Sequence, residues 1–483
     1  MSYKRLADSN AIANWEGGVT YRPNSIVRVT SVEDVVRVLT SPEIYPAPVR
    51  AVGTLHSPAR CSADDGGTML DMTGMNRIIE IGEDHVTAEA GAIYIDVADA
   101  LSRKGLQFHI NTEIGNVTLG AAACAATKDS SLTGTSYFGQ VSSFVSGMKV
   151  VLPDGTVRSY NEDDNPEEMR LLRSSYGLLG VIVEVTMRAT AATALEVHHK
   201  ILTLAEYREQ FPEMVRQRYA IMTYMFPFAD RIVVELRKEN DHPRPGGAWR
   251  WELRNSFWRK WAPYFALAIR RTTSNDAVQR GLLRALHRIM RRGLSWFVHG
   301  PHLVSNAQII RYPDDPGPVR YVFSMWSFEE RRYFDILESY FRFCHDYAEE
   351  TGFRCDLPAV GYRIARDQSA LLSYSNDAHV VSIDPVSTGG PGWDEFLKAY
   401  NRFCSDNDGY PMLNQTKHLT AEQVRKAFGG RLEEFARARA EWDPEGRLLS
   451  SYFADFVDGL AEESAEEPAR AAAGAYRGGL SAL

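Results

Sequence analysis

Two apolar spacings trade places along the first ~190 positions of the chain: alternation, as in strands, and repeats of three to four, as in helices. "SIVRVT" (25–30) reads as a strand. "SVEDVVRVLTS" (31–41) reads as a helix capped by Ser31, with Val32, Val35, Val36 and Val38 on its apolar side. "VRAVG" (49–53) is a short apolar strand that stops at Gly53. "GTMLDMTGMNRIIEIGEDHVTAEAG" (67–91) predicts consecutive strands with turns at Gly74 and Gly82. "YIDVADALSRKGL" (94–106) predicts a helix closed by Gly105. "VSGMKVVLPDGTVRSY" (145–160) predicts a hairpin turning at "PDG", and "GLLGVIVEVTMRAT" (177–190) a buried strand punctuated by glycine. The pattern describes an α+β unit with its boundary near Thr190.

From 191 to 420 the grain changes. Strand patterns such as "RIVVEL" (231–236), "VRYVFSMW" (319–326) and "AHVVSI" (378–383) accompany a long helical pattern, "RYFDILESYFRFCHDYAEETG" (332–352). Between them lies an aromatic, basic stretch: from Arg250 to Arg292 it carries eleven Lys/Arg against two acids. Within it Arg280, Arg284 and Arg288 repeat at helical spacing, with Leu282, Leu283, Leu286 and Ile289 largely on the other side. Two readings stand: an amphipathic helix packed on a cap sheet, or a peripheral membrane contact. Residues 421–458 read as helices with a turn at "DPEG", and the Ala/Gly/Glu-rich 459–483 as a tail.

Composition narrows the picture. The chain has 483 residues, 44% hydrophobic and 24% charged, enough apolar material for a large core. A net charge of −8 speaks against nucleic-acid binding. The five cysteines, at 61, 124, 344, 355 and 404, form no CxxC pair, so neither a metal framework nor a disulfide scaffold is expected. The N-terminal stretch lacks an apolar core of the secretory type, and no apolar run approaches ~18 residues. The expectation is a cytoplasmic protein, with membrane-peripheral contact through 250–292 as the alternative.

Three small-residue segments carry candidate chemistry. "RAVGTLHSPARC" (50–61) puts a tight turn before His56; "NVTLGAAACAATKDSSLTG" (116–134) packs glycine and alanine around Cys124; "SYGLLGVIVEV" (175–185) again brings glycines to a strand start. Each reads either as tight core packing or as backbone that can approach a flat, phosphate-bearing cofactor.

Together these segments resemble the vanillyl-alcohol-oxidase, or PCMH-type, FAD-binding fold, and most of all its aldonolactone and alditol oxidases. "NWEGGVTYRP" resembles the family's opening segment, "GTLHSPARC" its G-x-x-H-S pyrophosphate loop, and "VTLGAAACAATKDSS" its second glycine loop. "LLGVIVEVT" resembles the strand gripping the flavin end, while "MLNQTKHLT" and "EWDPEGRLLSSYF" resemble the C-terminal H-W-G-K and D-P-x-G segments. The resemblance implies a PCMH-type FAD-binding domain of two α/β subdomains at 1–190, an α+β cap at 191–420, and helices at 421–458 that return to the FAD domain. It implies FAD contacts at Val52, Gly53, Thr54, Leu55, His56, Ser57, Thr118, Gly120, Ala121, Cys124, Thr127, Gly180, Val181 and Ile182, with the flavin covalently attached at His56.

Cys61 and Cys124 are candidates for a second link by proximity alone, and a packing role is the stronger reading for Cys124. The resemblance places Lys417, Arg363 and Tyr362 in catalysis, and Arg363, Asn414, Gln415, Lys417 and His418 at the substrate. It makes Ala121 the counterpart of a position that gates oxygen. The chain also departs from the pattern: Gly361 stands where an acid precedes the arginine, Asn414-Gln415-Thr416 replaces H-W-G, and Lys128 replaces a histidine. The activity implied is oxidation of a CH–OH group by hydride transfer to flavin N5, with O2 as acceptor. The rivals are a dehydrogenase tailoring a larger apolar metabolite at a membrane surface, and a non-catalytic flavin scaffold. No metal is implied.

Overall fold

The computed structural model describes residues 4–5, 11–112, 114–127, 139–240, 248–272, 275–298, 300–302, 309–317, 322–458 and 460. Three sheets carry the architecture. The first is parallel, in the order Ser25–Arg28, Thr68–Asp71, Val49–Val52. Helix Val32–Thr40 crosses over it, capped as expected by Ser31, whose hydroxyl accepts from Asp34 N at 3.2 Å. Val35, Val38 and Leu39 pack from that helix against Val49 and Leu70.

The second sheet is antiparallel: Val157–Asn161, Val145–Val151, Val181–Ala191, His85–Glu89, Ile78–Ile81. Its hairpin is the one expected around "PDG", with Gly155 at φ 86°. The chain leaves this sheet at Ala191 and enters the third at Ala194.

The third sheet has eight strands, ordered Gly300–His302, Ala194–Leu202, Arg231–Asn240, Ala220–Phe226, Ala359–Ile364, Val380–Ile383, Trp326–Glu329, Tyr410–Pro411. Its central strands are buried on both faces, and the two-residue period of a strand sorts their side chains. Met222, Tyr224, Phe226, Tyr362 and Ile364 join the core shared with the second sheet and the C-terminal helices. Ile221, Met225 and Ala359 face helices Leu204–Arg216, Tyr333–Thr351 and Trp393–Asp406, which cover the outer side. The pattern "VRYVFSMW" does not form one strand. Val322–Phe323 pairs with Val386–Ser387, and Trp326–Glu329 with Val380–Ile383. The break falls at Met325, whose carbonyl accepts from Met412 N and Thr416 Oγ1 of the C-terminal return instead of from a neighbouring strand.

Helices Ala421–Phe428, Gly430–Trp442 and Ser451–Val457 bring the chain back to its beginning. Phe435, Phe453 and Phe456 join the core of the first half. Buried Arg447 donates to the carbonyls of Val38 at 2.7 Å and Leu39 at 3.1 Å, at the open end of helix Val32–Thr40. Arg447→Met should strand both acceptors away from water and cost about 2 kcal/mol. A thermal melt lowered by several degrees is the expected result, with the sheet content unchanged by circular dichroism.

Candidate active site

Strand Val49–Val52 ends where Gly53 must lie against Thr118: a Cβ on Gly53 would stand 2.5 Å from Thr118 Oγ1. The loop that follows turns on Leu55, held at φ 54°, a strained conformation for a leucine. Among the described residues, the backbone N–H groups of Gly53, Thr54, Leu55, His56 and Ser57 find no acceptor in the protein. Five successive free N–H groups around a left-handed residue make a concave donor nest of the kind that holds phosphate oxygens. This loop lines a cleft of about 960 Å³, together with Thr118, Gly120, Ala121, Cys124, Thr127, Gly180, Ile182, Asn414 and Gln415.

Arg50 sits beneath the nest, buried, its side chain lining the same cleft. It donates to four backbone carbonyls: Leu448 at 2.9 Å, Tyr176 at 2.5 Å, Gly177 at 3.3 Å and Cys61 at 3.4 Å. Among the described residues no carboxylate reaches ion-pair distance of it, Asp64 acting on it only from farther off, and its Nε has no partner. The cleft therefore carries a positive charge without an ion-pair partner beside free N–H donors. The sequence signal was there: one arginine in the middle of an apolar run, "VRAV".

His56 lines the cleft and stacks on Trp15, ring centroids 5.0 Å apart at 25°. Burial pushes its pKa down from 6.5 to about 4, so the imidazole is neutral at physiological pH. Segment 14–19 braces it: Asn14 Nδ2 donates to Ser57 O at 3.0 Å, and Trp15 N to Leu55 O at 2.9 Å. Both cleft cysteines are protonated thiols. Burial raises the pKa of Cys61, and that of Cys124 to about 11.

A second cavity, about 910 Å³, lies between this cleft and the eight-stranded sheet. Its walls are apolar: Trp258, Phe323, Met325, Leu357, Val360 and Met412, with Tyr224, Tyr312 and Tyr362 among them. No charged side chain among the described residues lines it. Val117, Thr127 and Gln415 line both spaces, so the two meet there. At and beside that seam, Thr127 Oγ1, Asn414 Oδ1 and Gln415 Oε1 are buried without hydrogen-bond partners.

Several expected site residues stand elsewhere. Val181 does not line the cleft; it is packed with Val151 and Val183 in the core beside the first sheet. Arg363 is one residue from Tyr362 on the same strand, so it faces the helix side of the sheet, where Nε donates to Glu330 at 2.6 Å. His418 lies outward, at φ 59°, with Nε2 3.0 Å from Asp394. Lys417 lines neither large cavity: its ammonium is 2.6 Å from Glu16, both largely buried. Tyr362, Asn414 and Gln415 are at the walls. Lys128 lies outside the described residues. Beyond Arg50, sequence reasoning missed Tyr176, Phe453, Tyr224 and Trp258, whose apolar spacing marks them only as core.

A family model described as "FAD binding domain" matches residues 23–161, and one described as "D-arabinono-1,4-lactone oxidase" matches residues 185–456. The chain belongs to the D-arabinono-1,4-lactone oxidase family. Family membership and the cleft agree: its nest, its unpaired arginine and its orphaned polar atoms fit FAD. Among curated relatives, L-gulono-1,4-lactone dehydrogenase of Mycobacterium tuberculosis is 27% identical over 241 residues, 49% of this chain and 54% of that protein. L-gulonolactone oxidase of Bos taurus is 26% identical over 51% of this chain and 55% of that one. The chain thus spans about half the length of these two relatives. L-gulonolactone oxidase of Scyliorhinus torazame is 22% identical over 91% of this chain and 96% of that one. The solved structure of cholesterol oxidase from B. sterolicum superposes with a TM-score of 0.74 at 14% identity, covering 94% of this chain and 99% of that one, a likeness of fold. The fold of this family member is accordingly PCMH-type, of mixed helix and sheet.

The Lys417–Glu16 pair gives a test of what the lysine does. Lys417→Met should leave a buried carboxylate unpaired and cost about 3–5 kcal/mol, while Lys417→Met with Glu16→Gln should regain most of it. Thermal melts of the two variants measure this. A single variant of unchanged stability whose flavin reduces slowly would instead put the ammonium to work at the ring.

Proposed function

We propose that this protein is an FAD-dependent oxidoreductase that oxidises a CH–OH group of a hydroxylated small molecule, with O2 as electron acceptor. The observation that carries the reading is the seam at Val117, Thr127 and Gln415, where the cleft with the donor nest meets a second, largely apolar cavity. Bound FAD supplies a hydride acceptor there. The chain supplies the rest. Arg50 and the N–H groups of 53–57 hold the diphosphate, and Gln415 and Tyr362 orient the reacting hydroxyl. The apolar walls exclude water and fix the remainder of the substrate. Ala121 in the cleft wall is compatible with O2 and with another electron acceptor alike.

The cavity's lining favours one branch of this reading. The named relatives act on sugar lactones, whose many hydroxyls need many partners. This cavity offers mostly apolar carbon, with three tyrosines, Thr112, Thr127 and Gln415 as its polar groups and no charge among the described residues. We assign it a hydroxylated substrate whose non-reacting part is apolar. Oxygen uptake over a series of secondary alcohols tests this. Each added methylene should raise kcat/KM about three- to fourfold, the worth of ~0.8 kcal/mol of burial. Faster turnover of a gulono- or arabinonolactone than of any apolar alcohol would overturn it; no oxygen uptake with either class would leave a dehydrogenase, if an artificial dye is reduced instead, or a flavin-binding scaffold, if it is not.

The flavin is covalently attached through a ring nitrogen of His56. What supports this is a neutral imidazole in the cleft wall, its lone pair available because burial suppresses protonation. Acid-precipitated protein should stay yellow, and the His56 peptide should be heavier by one flavin; a colourless pellet overturns the link. Since the imidazole takes up a proton only near pH 4, attachment should not slow as pH falls through 6.5. The same depression has a cost: unfolded chain binds that proton first, so the unattached fold loses stability as pH falls from 6.5 towards 4.

A further inference from the structure

Among the described residues thirteen large apolar side chains are exposed, and eight of them lie between Trp249 and Ile289. They belong to two packed helices, Ala262–Thr272 and Asp276–Phe297, and to the helix and turn before them. Gln279 Nε2 ties the two to each other through Arg270 O at 3.2 Å.

Each of the two presents an outward apolar face. At about 100° per residue, Val278, Leu282 and Ile289 fall within about 40° of one another, and Arg284, Arg288 and Arg292 form the adjoining strip. All six are exposed. The amphipathic helix expected to bury its leucines inward does so only in part: Leu286 and Met290 are buried, while Leu282 is 41% and Ile289 65% exposed. On the neighbouring helix Trp261, Tyr264 and Phe265 share one side, exposed by 44%, 50% and 42%. Trp261 stacks on Phe265 and carries the Lys260 ammonium 5.3 Å from its ring centre.

We propose that these two helices seat the protein on the surface of a bilayer containing anionic phospholipid, and that apolar substrate enters the second cavity from that surface. Three observations converge. The outward faces are apolar, with Trp and Tyr, the residues suited to the depth of the headgroups. They are rimmed by arginine and lysine, with eleven basic residues against two acids from Arg250 to Arg292 in a chain of net charge −8. An acidic body with a basic face turns that face towards a negative surface before contact. And Trp258 and Pro263, from the same segment, form part of the cavity wall. No helix among the described residues is long and apolar enough to cross a membrane, so the seat is peripheral.

Flotation of the purified full chain with vesicles tests the seat without any assay of turnover, so it stands or falls apart from the oxidoreductase reading. The protein should float with phosphatidylcholine–phosphatidylglycerol vesicles at low salt, much less at high salt, and not with phosphatidylcholine alone. Arg284→Glu with Arg288→Glu should lower the bound fraction by more than about tenfold. Trp261→Ser with Phe265→Ser should remove the binding that survives salt. Unchanged flavin content and melting would show both variants folded. Wild-type protein that stays in solution with the anionic vesicles at low salt overturns the proposal. So does an oligomer, seen by light scattering, that Trp261→Ser with Phe265→Ser dissolves while vesicles bind neither form.

Discussion

Arg50 is a buried cation with no carboxylate against it, and the cofactor cleft is arranged around that fact. Its guanidinium is held by carbonyls from three separate stretches: Cys61, Tyr176 with Gly177, and Leu448. Carbonyl dipoles can host a charge in the interior without neutralising it. The cleft therefore keeps a net positive potential, which the free N–H groups after Gly53 reinforce. An anion placed there completes two deficits together, the charge and the donors. The strain at Leu55 belongs to the same arrangement, since a relaxed leucine would turn the N–H groups apart.

The eight-stranded sheet imposes the second constraint. Because both its faces are buried, the side chains of its central strands are committed either to the outer helices or to the inner core that holds the cavity. Tyr362 and Arg363 show how strict this is: adjacent in sequence, one lines the cavity and the other forms an ion pair with Glu330 behind the sheet. A motif match fixes a position along the chain. Only the parity of the strand fixes the side.

That distinction explains what could be read from the sequence. The first half was legible element by element, because its signals are local: Ser31 as a cap, the "PDG" turn, the strand after Gly180. The loop at Gly53–Ser57 was legible as a cradle because small residues and a turn leave backbone exposed. What stayed hidden depends on pairing at a distance. The resemblance set Lys417 at the substrate, but its ion-pair partner Glu16 stands 401 positions earlier. Val181 continues a glycine-marked segment, but alternation turns it into the core between Gly180 and Ile182, which do reach the cleft. Leu282 and Ile289 are apolar at helical spacing, and spacing alone does not say how much of a helix's apolar side its neighbours leave uncovered.

The bond from Arg50 to Leu448 joins residues 398 positions apart. Asp64 likewise waits for Ser451, and Phe453 completes the cleft wall. During synthesis from the N-terminus, the first sheet and its loop emerge early, yet the walls that grip a cofactor are made last. Loading therefore waits on synthesis at least as far as Phe453: until that stretch has left the ribosome, the donor nest is open to solvent on the side that the returning helices will close.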